Sequence, residues 1–136
     1  MIMSGITTNK VPFLQAFAAS SIKIAAVGNW GCTSNSQATV NNINSKNPEL
    51  VLGLGDYSYE NTPNCWFNEI KAFDGKMKIS IGNHDVINKK LLDSYLNHFS
   101  LSKQYYSFDF QNVHVLTMAT ELEWETGSEQ YKVCQE

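Results

Sequence analysis

Asn29, Asp56 and Asn83 each follow a glycine that ends a short apolar run: Ile22 to Gly28, Leu50 to Gly55 and Met77 to Gly82. Side-chain oxygens of these types are what hard divalent and trivalent cations prefer, and a carboxylate such as Asp56 has two to offer. His84, directly after Asn83, adds an imidazole able to carry a proton near neutral pH. Gathered in one place, these groups would make a polar, oxygen-rich site.

The elements that must gather them are legible from pattern. A short apolar run closed by glycine, then a polar stretch, then a helical pattern reads as a strand feeding a loop and a crossover helix. Three such βα units side by side put Asn29, Asp56 and Asn83 at the carboxyl ends of their strands, where parallel sheets bind ligands. Ser34-Asn35-Ser36-Gln37 reads as a capping box opening a helix to about Ile43, with Ala38, Val40 and Ile43 toward the sheet. Trp66, Phe67, Ile70 and Phe73, then Leu91, Leu92, Tyr95, Leu96 and Phe99, recur at helical spacing and are core by default. Trp30 is the exception, because its place in the first loop suits the mouth of a pocket.

From Tyr106 the period changes to two, and Gln111-Asn112 turns the chain into a second strand, giving a β-hairpin. His114 falls inside that strand and reads as a hydrogen-bonded structural histidine, and His98 reads as a solvated partner of a helix end. Glu121 reads as a solvated loop residue, with approach to the site as the alternative. The equal interval of 27 residues between positions 29, 56 and 83 is not a repeat array, since the intervening sequences share no further pattern.

The strand-end segments read Gly28-Asn29-Trp30-Gly31-Cys32, Gly55-Asp56-Tyr57-Ser58-Tyr59 and Gly82-Asn83-His84-Asp85. This ordered trio resembles the calcineurin-like metallophosphoesterases. The second segment, G-D-x-x-Y with tyrosine where most members carry Asp or Asn, is most similar to the purple acid phosphatase branch. G-N-H-D is the most specific of the three strings.

The resemblance implies an α/β fold of the metallophosphoesterase type, an α/β/β/α sandwich, represented here by its N-terminal part: three βα units plus the hairpin, the second sheet largely missing. It also implies two metal ions, Fe, Zn or Mn, with Asp56 bridging both, Asn29 and Tyr59 on the first and Asn83 on the second. His84 and Asp85 would be the catalytic pair, His84 facing the phosphoryl group and Asp85 orienting its imidazole. Two departures from the family pattern stand out. Asn29 occupies a position where the family has aspartate, which removes one negative charge from the ligand set. The later V-x-x-H and G-H-x-H segments are absent, His84, His98 and His114 being the only histidines.

With 136 residues, 43% of them hydrophobic, and a net charge of -3, the chain fits one small domain or a fragment of a larger one. Ten Lys and Arg residues with no cluster beyond Lys89-Lys90 exclude capture of a long phosphate backbone, so no nucleic-acid partner is expected, and no apolar run is long enough to span a membrane. A small phosphate ester remains compatible, the metals supplying positive charge locally. An open sandwich would expose an apolar sheet face and favour self-association.

Residues 1–20 read as a signal peptide, with Ala16-Phe17-Ala18 in the small-x-small form of a cleavage site, or as an N-terminal extension; residues 21–136 are the domain. The chain is accordingly secreted or extracytoplasmic if the signal is used, and cytoplasmic otherwise. In an oxidising compartment Cys32 and Cys65 could bridge, leaving Cys134 unpaired, but without their separation the sequence reads as three reduced thiols. Two function classes follow: a metal-dependent phosphate ester hydrolase, or a degenerate relative that binds phosphate or metal without turnover. A flavodoxin-like small-molecule binder would share strand-end ligand placement but gives no reason for G-N-H-D.

Overall fold

The computed structural model describes residues 21–135, so the leader-like segment 1–20 lies outside the described residues. The chain order is β1 (Ile24–Val27), α1 (Ser34–Ser45), β2 (Leu50–Gly53), α2 (Asn64–Glu69) running on as a 3-10 turn (Ile70–Phe73), and β3 (Met77–Ile79). A second 3-10 turn (Asn83–Asp85), α3 (Lys89–His98), the hairpin strands β4 (Tyr106–Phe110) and β5 (Val113–Thr117), and α4 (Glu129–Val133) complete it.

The first three strands form a parallel sheet in the order β1-β2-β3. Ala25 pairs with Val51 and Val51 with Met77; Val27 pairs with Gly53 and Gly53 with Ile79. Side chains alternate across a strand, so these residues share one face. Right-handed crossovers between sequential neighbours place the connecting helices on that same face. The core lies there: Val40, Val51, Trp66, Ile70, Phe73, Ile79, Leu91 and Tyr95 are all buried together.

On the opposite face the hairpin lies across β2 and β3. Its turn residue Gln111 donates to Glu49 Oε2 at 2.8 Å, Lys78 Nζ sits 5.5 Å from the Phe108 ring centroid, and Tyr106 reaches β3. The Tyr106 hydroxyl donates to Ile79 O at 2.8 Å and accepts from Ile79 N at 3.1 Å, occupying both backbone groups of one edge residue. Ile24 and Ala26, on the outer face of β1, stay exposed. The α/β class, the three βα units and the hairpin with its Gln111-Asn112 turn are as expected from sequence.

Three local expectations are corrected. The N-cap of α1 is Thr33, one residue ahead of the expected box: Ser36 N donates to Thr33 Oγ1 at 3.3 Å and Thr33 N to Ser36 Oγ at 2.9 Å. A serine hydroxyl thus stands in for the usual Glu or Gln. Ala38 is exposed, and the buried positions of α1 are Ser36 and Val40, one helical turn apart. The thiols of Cys32 and Cys65 are not free but joined, with Cα atoms 5.9 Å apart. Cys32 lies just before α1 and Cys65 in the first turn of α2, and both helices pack on one sheet face, a proximity that pattern alone does not give. Cys134 is free and exposed. No helix among the described residues is long and apolar enough to cross a membrane.

Candidate metal centre

Three of the four expected ligands sit on strained backbone. Asn29, Asp56 and Tyr59 have φ of 51°, 59° and 57°. Left-handed φ is uncommon outside glycine, and such outliers persist only where the surroundings over-determine them. Here the surroundings are the neighbouring loops. Asn29 N donates to Gly55 O at 3.2 Å and Trp30 N to Asp56 O at 2.8 Å, lashing the first loop to the second.

The second and third loops are closer still. A Cβ on Gly82 would lie 2.3 Å from Asp56 Oδ1 and 2.7 Å from Asp56 N. One on Gly55 would lie 2.7 Å from Gly82 N, and Gly55 itself has φ of 91°. The glycines before the motif residues are therefore required by contact between backbones.

Some of the polar groups are in contact. Tyr59 OH donates to Asn29 Oδ1 at 2.7 Å. His84 N donates to Asp56 Oδ1 at 3.1 Å. The Tyr59 and His84 rings lie 4.5 Å apart between centroids. Asn83 is exposed at the start of the turn that carries His84. Partial desolvation and then the charges of Asp56 and Asp85 push the Tyr59 phenol above its ordinary value.

Asp85 does something other than orient the imidazole. Its Oδ2 accepts from Asp56 N at 2.8 Å and from Gly82 N at 2.9 Å, and its Oδ1 accepts from Tyr57 N at 3.0 Å. Both oxygens are committed to backbone amides because the residue is 0% exposed and a buried carboxylate needs donors on every side. Burial pushes this carboxyl up, the three amides pull it back down, the Asp56 charge raises it again, and the net direction is upward.

Tyr57 and Tyr95 are supports that pattern reading passed over. Tyr57 OH donates to Ser80 O at 2.6 Å and accepts from Gly55 N at 3.1 Å, joining the ends of β2 and β3. Tyr95 OH donates to Ser58 Oγ at 3.0 Å and accepts from Ser58 N at 3.3 Å, fixing the middle of the second loop to α3. The signal for Tyr57 was its place between Asp56 and Tyr59; nothing local announced Tyr95 as more than core.

Trp30 is 7% exposed, donates Nε1–H to Val27 O at 3.1 Å and meets Trp66 edge-on. It floors the first loop and lines a pocket of about 140 Å³ shared with Asn29, Asn35 and Thr39. His114 pairs with Asp109 at 2.7 Å, the hydrogen-bonded role expected of it. His98 ends α3 and stacks on Phe67 at 3.9 Å, a contact not foreseen. Glu121 lines a separate cleft with Tyr105 and Gln130 that holds none of the rim residues.

The donor set has the chemistry of a hard-cation site: one carboxylate, one phenol and two amides, all oxygen donors. By donor type those four side chains suit one side of a metal centre. They carry a single formal charge, and among the described residues no three His, Cys, Asp or Glu side chains form a metal-holding group.

A family model described as Calcineurin-like phosphoesterase matches residues 22–131. Purple acid phosphatase 22 of Arabidopsis thaliana is 29% identical over 130 residues, covering 82% of this chain and 30% of that protein. Purple acid phosphatase 15 of the same plant is 24% identical over 150 residues, covering 81% of this chain and 28% of that protein. The structure of purple acid phosphatase PPD1 from yellow lupin (Lupinus luteus) seeds superposes with a TM-score of 0.66 at 17% identity, over 87% of this chain and 27% of that one, a likeness of fold. The chain thus spans less than a third of the length of these relatives.

Proposed function

The chain belongs to the calcineurin-like phosphoesterase family, and on that premise we propose that it forms the N-terminal part of a metal-dependent phosphate ester hydrolase domain of the purple acid phosphatase type. The observation that carries this reading is the meeting of three loops at one rim, with Asn29 against Tyr59 at 2.7 Å and Asp56 against the His84 amide at 3.1 Å. Asp56 would bridge two cations of Fe, Zn or Mn, with Asn29 and Tyr59 on the first and Asn83 on the second. When bound, the cations supply Lewis acidity and lower the pKa of water.

The chain's own residues supply the rest. Asp56 is held so that one oxygen takes the His84 amide while the carboxylate keeps a second oxygen to offer. The His84 imidazole, beside the Tyr59 ring, faces the phosphoryl group, where it stabilises developing charge or gives a proton to the leaving oxygen. The substrate is a small phosphate ester. The Cys32–Cys65 bridge favours an oxidising compartment, hence secretion or an extracytoplasmic space. The outer face of β1, with Ile24 42% exposed, is proposed to pair with a second copy of the chain.

A second reading, a relative that binds metal or phosphate without turnover, is favoured by Asn29: its amide oxygen is neutral and already accepts the Tyr59 proton. The two separate on p-nitrophenyl phosphate. Turnover by Zn²⁺-loaded protein that Asp56→Ala abolishes supports the hydrolase; cation binding with no turnover in either protein supports the second reading. Equal turnover by both proteins defeats the assignment of Asp56.

A further inference from the structure

We propose that Asp85 is the positioning residue of this rim, setting Asp56 and His84 through their backbones; the cation-affinity part of the proposal rests on the metal-holding reading above. Asp85 Oδ2 alone joins the second and third loops, taking Asp56 N at 2.8 Å and Gly82 N at 2.9 Å. Its Oδ1 takes Tyr57 N at 3.0 Å, so two successive amides of the left-handed second loop converge on one side chain. The circuit closes when His84, next in sequence to Asp85, donates its own N–H to Asp56 Oδ1 at 3.1 Å.

Each loop therefore holds the other, with Asp85 at the centre and 0% exposed. The arrangement leaves no slack, since a Cβ on Gly82 would stand 2.3 Å from Asp56 Oδ1. A carboxylate accepts on both oxygens, whereas a carboxamide presents N–H on one of them and would set donor against donor. Bonds from N–H to an ionised carboxylate are about twice as strong as neutral ones, which suits a side chain that must hold the strained second loop to its neighbour. Displacing Asp85 then moves Asp56 and His84 together, although among the described residues no hydrogen bond joins the Asp85 oxygens to the Asp56 carboxylate or to the imidazole.

The test uses Asp85→Asn and Asp85→Glu beside Val40→Ala, a core control at a residue that is 2% exposed and has no side-chain polar atom to bond the rim. Two quantities are read on protein that near-ultraviolet circular dichroism shows to be folded. The first, in cation-free protein, is hydrogen exchange of the His84 amide, which bonds Asp56 and not Asp85. Protection should fall about tenfold or more in both Asp85 variants, beyond the change at core amides, and track global stability in Val40→Ala. The second is Zn²⁺ affinity by calorimetry, which should fall about tenfold or more in the Asp85 variants and hold in the control.

His84 protection that merely follows global stability in the Asp85 variants overturns the proposal. If Asp85→Asn does not fold, Asp85→Glu, which keeps both acceptors on a longer stem, decides it alone. If wild-type protein takes up no Zn²⁺, the metal-holding reading fails, while the exchange measurement still decides the role of Asp85.

Discussion

The Tyr59 hydroxyl donates to the Asn29 side-chain oxygen at 2.7 Å, so two of the four donors at this rim are satisfied by each other. Both belong to residues with left-handed backbone, from loops 30 residues apart in sequence. Each oxygen keeps lone pairs a cation could use, but the four donors carry a single formal charge, on Asp56.

Asn29→Asp should supply the missing charge. The added carboxylate raises affinity for Zn²⁺ by about tenfold or more, equivalent to about 1.4 kcal/mol, and for a trivalent ion by a larger factor. Equilibrium dialysis against Zn²⁺ and Fe³⁺ measures both ratios. Unchanged occupancy would remove position 29 from the ligand set.

Alkaline pH should unfold the protein through its buried phenols. Burial pushes Tyr95 up to about 12, and Tyr57 well above its ordinary value for the same reason. The unfolded phenol ionises near 10. A group whose folded pKa is raised contributes its full stability below the unfolded value and loses it as pH climbs through the folded one. Stability should therefore hold to about pH 10 and decline toward pH 12, by on the order of 3 kcal/mol from Tyr95 alone. Urea melts across this range should show it, and Tyr95→Phe should flatten the slope.

Opening the Cys32–Cys65 bridge should lower stability without abolishing the sheet. The bridge closes a separation of 33 residues, for which chain entropy alone gives roughly 4 kcal/mol. Thermal unfolding with and without dithiothreitol, and of Cys65→Ala, should show a matching drop in Tm. No drop would mean that the two helices are held by packing alone.

Self-association should rise with protein concentration and fall when the outer face of β1 is made polar. Ile24→Lys places a charge where an apolar side chain is 42% exposed. Sedimentation velocity over a concentration series compares the two proteins. A wild-type chain that stays monomeric throughout would rule out pairing through this face.

The strand-end loops were readable because a glycine closing an apolar run and preceding Asn or Asp is a local signal. The structure adds why it exists: Gly55 and Gly82 touch, and Asp56 fills the space a Gly82 side chain would need. The hairpin was equally local, declared by its alternation and by Gln111-Asn112. What escaped depends on contacts between elements. The Asp85 carboxylate satisfies amides 28 and 29 residues away, Tyr57 bonds to Ser80 across the sheet, and Cys32 finds Cys65 through the packing of two helices. The cap at Thr33 escaped for a smaller reason, a serine doing the work usually given to a longer side chain.

The hydroxyl of Tyr106 has a bearing on how the molecule avoids runaway β-stacking. Among the described residues β3 is one of the two outer strands of its sheet, and unclaimed amides and carbonyls along such a border invite an extended segment of a foreign chain to zip on. By engaging both groups of Ile79, Tyr106 behaves like a stopper in a three-residue strand, leaving too short a free stretch for a ladder to seed. Replacing one phenol oxygen would turn a shielded border into a template.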